Sequence, residues 1–126
     1  MEGSAGKVKT FRDLLVWQKA IRLVTEVYGA SQGWPKEETF GLKAQIRRAA
    51  VSVPSNIAEG HGRRSHDDYL RFLQIAMGSL FELLTQLEIA LNLGFVDAKQ
   101  HAHLSELGRE LERMMSSLIR KLKEAG

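Results

Sequence analysis

QIRRAAVSVPSNIAEG, residues 45–60, decides how the chain folds. Ile46, Ala49, Val53 and Ile57 recur at steps of three and four, the spacing of one helical face, and Leu42 extends the series backwards. Pro35, Glu37 and Glu38 supply a start signal, with proline at the first position and carboxylates in the positive first turn. The spacing predicts a helix over about 36–60. Pro54 lies inside it, where it deletes one backbone donor and crowds the carbonyl of Ala50. The apolar period continues across the proline, so a kink is expected and not a break. Beside the apolar face runs a polar stripe of Gln45, Arg48, Ser52, Asn56, Glu59 and Arg63.

Three more helices follow from the same arithmetic. Thr10 and Asp13 have the spacing of a capping box, and Leu14, Trp17, Ile21, Val24 and Tyr28 then hold a 3-4 period, which gives a helix over about 11–31. Ser65 and Asp68 open another over about 66–93, with Tyr69, Leu73, Ala76, Leu80, Leu83, Leu87 and Ala90 on one stripe. Phe72, Ile75, Ile89 and Leu93 lie off that stripe, so this helix is apolar over more than one face and a second chain is expected to cover part of it. Gly94 reads as a left-handed C-terminal cap. Asp97 and Gln100 open the last helix, whose stripe is His101, Leu104, Gly108, Leu111, Met115, Leu118 and Leu122. No segment alternates like a strand. Short connections between long helices make neighbours antiparallel, so the expected fold is an all-α, up-down-up-down four-helix bundle over residues 10–126, with a flexible N-terminal arm over 1–9.

Composition removes several functional classes. The 126 residues contain no cysteine and two prolines, with 44% hydrophobic and 26% charged side chains. That is ordinary globular usage. A disulfide scaffold, a cysteine-based zinc finger and a cysteine nucleophile are excluded. No apolar run approaches the ~18 residues of a membrane span. MEGSAGKVKT lacks the apolar core of a secretory signal, so a cytoplasmic location without membrane contact is expected. No Glu-x-x-His pair of the di-iron bundles occurs, nor a phosphate loop or a G-x-S-x-G elbow. His101 and His103 are two residues apart, so on a helix their rings diverge. No enzyme, metal or cofactor is expected.

The net charge is +3, and it is uneven along the chain: eleven basic and six acidic groups in residues 1–64, against seven and nine in 65–126. Cations can release counterions from a polyanion. Lys36, Lys43 and Arg47 share an outward face of the second helix, and Arg109, Arg113 and Arg120 a face of the fourth. Arg63 and Arg64 sit on a loop, and Lys7, Lys9 and Arg12 on or near the arm. These are the candidate phosphate contacts. Competing with them are intrahelical ion pairs, Glu106 with Arg109 first among them, each worth ~0.2–0.5 kcal/mol. The stripe Gln45, Arg48, Ser52, Asn56 and Glu59 faces Gly78 and Glu82 of the third helix. It is read as a structural polar seam, with Arg48 meeting Glu82 or Glu59. Trp34, Phe40 and Phe95 are candidate protein-binding anchors if exposed.

The segments Gln45-Ile46-Arg47-Arg48-Ala49, Ser52-Val53-Pro54-Ser55-Asn56-Ile57-Ala58-Glu59-Gly60 and Ala76-x-Gly78-Ser79-x-x-Glu82-Leu83 closely resemble the four-helix-bundle proteins encoded within intervening sequences of bacterial 23S ribosomal RNA genes. Phe11-x-Asp13-Leu14-x-Val16-Trp17-Gln18-Lys19-Ala20 is similar to the family's opening motif, and Pro35-x-Glu37-Glu38-x-x-Gly41-Leu42 to the approach to its second helix. Trp34 stands where the family pattern has Phe, and Phe40 where Tyr is common. The resemblance implies assembly as a ring, a homopentamer. It also implies a more remote kinship with accessory proteins of diversity-generating retroelements. No catalytic residues carry over. The expected function is therefore non-enzymatic binding of structured RNA or DNA by an oligomer. The alternative is a module that docks a reverse transcriptase or a ribosome-associated partner.

Overall fold

A computed structural model describes residues 7–126, and among them four long helices: α1 Leu15–Ser31, α2 Leu42–His61, α3 His66–Asn92 and α4 Ala98–Ala125. Two single 3-10 turns, Phe11–Asp13 and Lys36–Glu38, precede α1 and α2. No strand occurs among the described residues. Each helix packs against two others in the cyclic order α1, α2, α3, α4, which with short connections is an antiparallel four-helix bundle.

The core is built from the predicted stripes in α2, α3 and α4 but not in α1, where Val16, Ala20, Leu23 and Val27 are buried. Of the expected residues there, Trp17 and Val24 are only partly buried and Ile21 and Tyr28 are exposed, because the helix is rotated by about one residue from the stripe that the spacing suggests. Ile46, Val53 and Ile57 of α2, Leu73, Leu80, Leu83 and Leu87 of α3, and Leu111 and Met115 of α4 are all buried. Three starts and stops follow their local chemistry. Asp97 and Gln100 form a reciprocal capping box at α4, the Ser65 hydroxyl accepts the Asp68 N–H at α3, and Gly94 takes φ 78° after α3.

Two boundaries differ from the sequence reading. The Thr10–Asp13 capping box is present, but it caps the 3-10 turn Phe11–Asp13, and α1 begins only at Leu15. The second helix begins at Leu42 and not at 36, because the chain is bent at Gly41 (φ −106°, ψ −121°). Lys36–Glu38 is therefore a separate turn, although proline and acids signal a 3-10 start as well as an α start. Of the expected arm, residues 1–6 lie outside the described residues. Val8 packs on the core, and the Lys9 N–H donates to Asp13 at 2.8 Å.

α2 runs unbroken through Pro54. Around the missing donor, Ser55 Oγ donates to the Val51 carbonyl and Asn56 Nδ2 to the Ser52 carbonyl, both at 2.8 Å. Pro54 itself is buried and lines a groove against α1. Near its C-terminus α2 touches α3 most closely at Gly60: a Cβ there would lie 2.7 Å from Phe72 Cβ and 3.3 Å from the Tyr69 carbonyl oxygen. Only glycine lets the two backbones meet at that distance.

Candidate nucleic-acid interface

Antiparallel order brings three separate stretches of chain to one end of the bundle. The start of α1, the α2–α3 connection and the end of α4 meet there, and His66 lies against Gly126. Cutting the bundle across its helix midpoints puts residues 7–23, 52–79 and 112–126 in this half. It holds twelve Lys and Arg against six Asp and Glu, a net of +6. The opposite half, residues 24–51 and 80–111, holds six against eight, a net of −2. The charge asymmetry is thus axial, and over the described residues it is as large as the difference between the two halves of the sequence.

The predicted phosphate contacts divide accordingly. Arg63, Arg64 and Arg120 are exposed at the basic end. Arg64 and Arg120 have no ion-pair partner among the described residues. Arg63 donates to Glu59 at 2.8 Å, and its guanidinium lies 4.6 Å from the Phe72 ring centre. Arg71 approaches the same ring at 4.7 Å. Arg71, Lys121 and Lys123 also belong to this surface and were not among the candidates. Their signal is topological, since the last turn of α4 falls beside the α2–α3 connection. A groove of about 450 Å³ opens along α4 there, floored by Ile119 and edged by Ser116, Arg120, Lys123 and Glu124.

Five other candidates lie elsewhere or serve the fold. Lys36 is in the 3-10 turn at the opposite end. Lys43 donates to the Gln32 carbonyl at 3.4 Å. Arg47 turns toward α1: Nε donates to the buried Ser31 hydroxyl at 2.8 Å, a terminal nitrogen donates to the Tyr28 carbonyl at 3.0 Å, and the guanidinium stacks 4.3 Å over the Tyr28 ring. A cation at a helix C-terminus satisfies its last carbonyls and complements its dipole, so Arg47 ties α2 to the end of α1. Arg109 and Arg113 sit in mid-helix and share Glu106, at 3.4 and 3.5 Å. Glu110 is drawn across to Lys19 of α1 at 2.6 Å, and that ammonium holds its carboxyl below the ordinary range.

The polar seam closes only at its centre. Ser52 Oγ and Ser79 Oγ are 2.8 Å apart, and Asn56 Nδ2 donates to Ser52 Oγ at 2.9 Å. Arg48 does not meet Glu82 or Glu59. Glu59 is held by Arg63, Glu82 accepts from Gln86 Nε2 at 3.3 Å and from no cation among the described residues, and Gln45, Arg48 and Glu82 are exposed. Ser52 and Asn56 are half-buried, with Ser52 against Ser79 of α3, whereas Arg48, one turn earlier on the same stripe, is exposed. Trp34 is buried against Phe95, but Phe40 is 95% exposed.

His101 Nε2 lies 3.0 Å from Glu88 and 3.5 Å from Ser105 Oγ. Both contacts use the same ring nitrogen, so the three groups form no relay in which one nitrogen takes a proton while the other is oriented. No group of three or more His, Asp or Glu suited to a metal occurs among the described residues, and no described helix is long and apolar enough to cross a membrane. His103 pairs instead with Glu26, which also accepts from Arg22 at 2.8 Å. Partial burial pushes the Glu26 carboxyl up, but the hydrogen bonds from Arg22 and His103 outweigh it and hold the group below its ordinary value. A depressed carboxylate stabilises the fold above its unfolded pKa, and that contribution is lost as pH falls through its folded pKa. Thermal melts from neutral pH into the acid range should therefore show a smaller fall in Tm for Glu26→Gln than for the parent protein. Parallel curves would mean that this cluster has no net worth.

Comparison with known proteins follows the same lines. No curated protein matches the chain. A crystal structure of a protein of unknown function from the S23 ribosomal protein family of Bacteroides thetaiotaomicron superimposes with a TM-score of 0.78. It is 21% identical over 83% of this chain and 98% of that one, a likeness of fold. The model of the 23S rRNA-intervening sequence protein family matches residues 12–117, nearly the whole bundle, and the chain belongs to that family.

Proposed function

We propose that the protein is a non-enzymatic, oligomeric nucleic-acid-binding protein that contacts the phosphates of structured RNA through the basic end of the bundle. The observation that carries this reading is the axial charge, +6 at one end against −2 at the other. Phosphate contacts supply affinity and orientation but little sequence discrimination. Copies arranged in a ring, a homopentamer by family resemblance, present this end repeatedly, and linked weak contacts gain through effective concentration. The protein acts inside the cell, where its RNA is.

The test is a salt titration of binding to a structured RNA, comparing the parent protein with the triple variant Arg64→Ala/Arg120→Ala/Lys123→Ala. All three side chains are exposed and without an ion-pair partner among the described residues. Each lost phosphate contact lowers the slope of log K against log salt by about 0.7–0.9. The triple variant should lose about two units of slope and at least tenfold in low-salt affinity, while Lys36→Ala at the opposite end changes neither. Equal slopes for parent and triple variant would refute the reading. A second reading, docking of a protein partner, is favoured by Phe40, the most exposed large apolar side chain of the bundle. It takes precedence if the parent protein binds no structured RNA at low salt.

A further inference from the structure

The outward face of α3 is unfinished. Ile75, Phe81, Ile89 and Leu93 stand on it with 42–57% of their surface exposed. Gly78 lies among them in mid-helix, and nothing comes within 4 Å of where its Cβ would be. A glycine in a helix interior costs ~0.5–1 kcal/mol relative to alanine, and no packing within the protomer accounts for this one. A surface that combines exposed Ile, Phe and Leu with a bare backbone fits close approach of another helix.

The bundle also carries a matching recess. Between α1 and α2 an apolar groove of about 300 Å³ is lined by Trp17, Ile21, Val24, Val51, Pro54 and Ala58. Arg48, one turn before Val51 on α2, has no ion-pair partner among the described residues. Glu82, next to Phe81 on the ridge, has no cationic partner there. Ridge and recess are therefore complementary in charge as well as in polarity, and they lie on different sides of the bundle.

We propose that the ridge Ile75, Phe81, Ile89 and Leu93 of one copy docks into the α1–α2 groove of the next, with Glu82 set against Arg48. Such a contact is heterologous: each copy uses one surface to give and another to receive, which generates a ring when the rotation closes. The inference specifies the contact behind the assembly in the proposed function and rests on the part of that reading which makes the protein an oligomer. It is independent of what the basic end binds.

Two surface variants test it, Phe81→Glu on the ridge and Val51→Glu in the groove, checked for retained helicity by circular dichroism and sized by light scattering. Each alone should be monomeric at micromolar concentration. Mixed in equal amounts they should form a 1:1 dimer and nothing larger, because the intact groove of the first accepts the intact ridge of the second. Arg48→Glu should weaken assembly at least tenfold, and Arg48→Glu/Glu82→Arg should recover most of it. The proposal is overturned if either glutamate variant keeps the parent mass, or if the mixture stays monomeric. A parent protein that is itself monomeric removes the oligomeric reading as a whole. Loss of RNA binding with assembly intact would count against the basic end alone.

Discussion

Gly60→Ala is expected to destabilise the protein by about 1–3 kcal/mol, the usual cost of forcing volume into a packed contact. The inserted methyl meets Phe72 Cβ at 2.7 Å, Tyr69 Cδ1 at 3.1 Å and the Tyr69 carbonyl oxygen at 3.3 Å. The nearest of these is a Cβ and the last is backbone, so no rotamer change clears the space. The end of α2 has to move off α3. Alanine's advantage over glycine in a helix, ~1 kcal/mol, offsets part of the cost and does not reverse it. Gly29 provides the opposite control. It lies within α1 and a Cβ there meets nothing within 4 Å, so Gly29→Ala should stabilise by about 0.4–1 kcal/mol. Urea denaturation of the two variants should move the midpoint in opposite directions. A neutral Gly60→Ala would mean that α2 and α3 are further apart than described.

The second large effect separates the two faces of α3. Leu80 is completely buried, and Leu80→Ala should cost about 2–5 kcal/mol, from lost transfer free energy plus the cavity left behind. Ile89, on the outer face, is 42% exposed. For the isolated protomer Ile89→Ala should stay within about 0.5 kcal/mol. At concentrations where copies associate, its apparent stability should fall below that of the parent, because an association that favours the folded state stabilises by mass action. Chemical denaturation at two protein concentrations reads both. Equal costs for Leu80→Ala and Ile89→Ala at high dilution would show that the outer face is covered within a single chain.

What was legible in the sequence, and what was not, follows from the range of each signal. The starts of α3 and α4 and the stop at Gly94 depend on groups within four residues of one another, and those positions hold to within a residue. The start of the second helix was misplaced because Pro35, Glu37 and Glu38 suit a 3-10 turn equally well, and nothing local shows that the chain bends again at Gly41. Among candidate contacts, the exposure of Arg64 and Arg120 was legible because it needs no tertiary partner. Arg47 was misjudged because periodicity shows which way a side chain leaves its own helix, and not that the end of α1 waits there with Ser31 and the Tyr28 carbonyl. Arg48 was paired with Glu82 on the same kind of evidence, a matching stripe, whereas contact also depends on how far each lies from the line where the helices touch. The concentration of charge at one end was invisible to a residue-by-residue reading, since it arises only when antiparallel order gathers three distant stretches.

That gathering has a practical corollary. Gly126 lies against His66 at the basic end, so a purification tag or fluorescent fusion attached after it would sit over the surface to be assayed. Labels belong at the far end, in the Lys36–Glu38 turn, where a short insertion leaves both that surface and the α3 ridge bare.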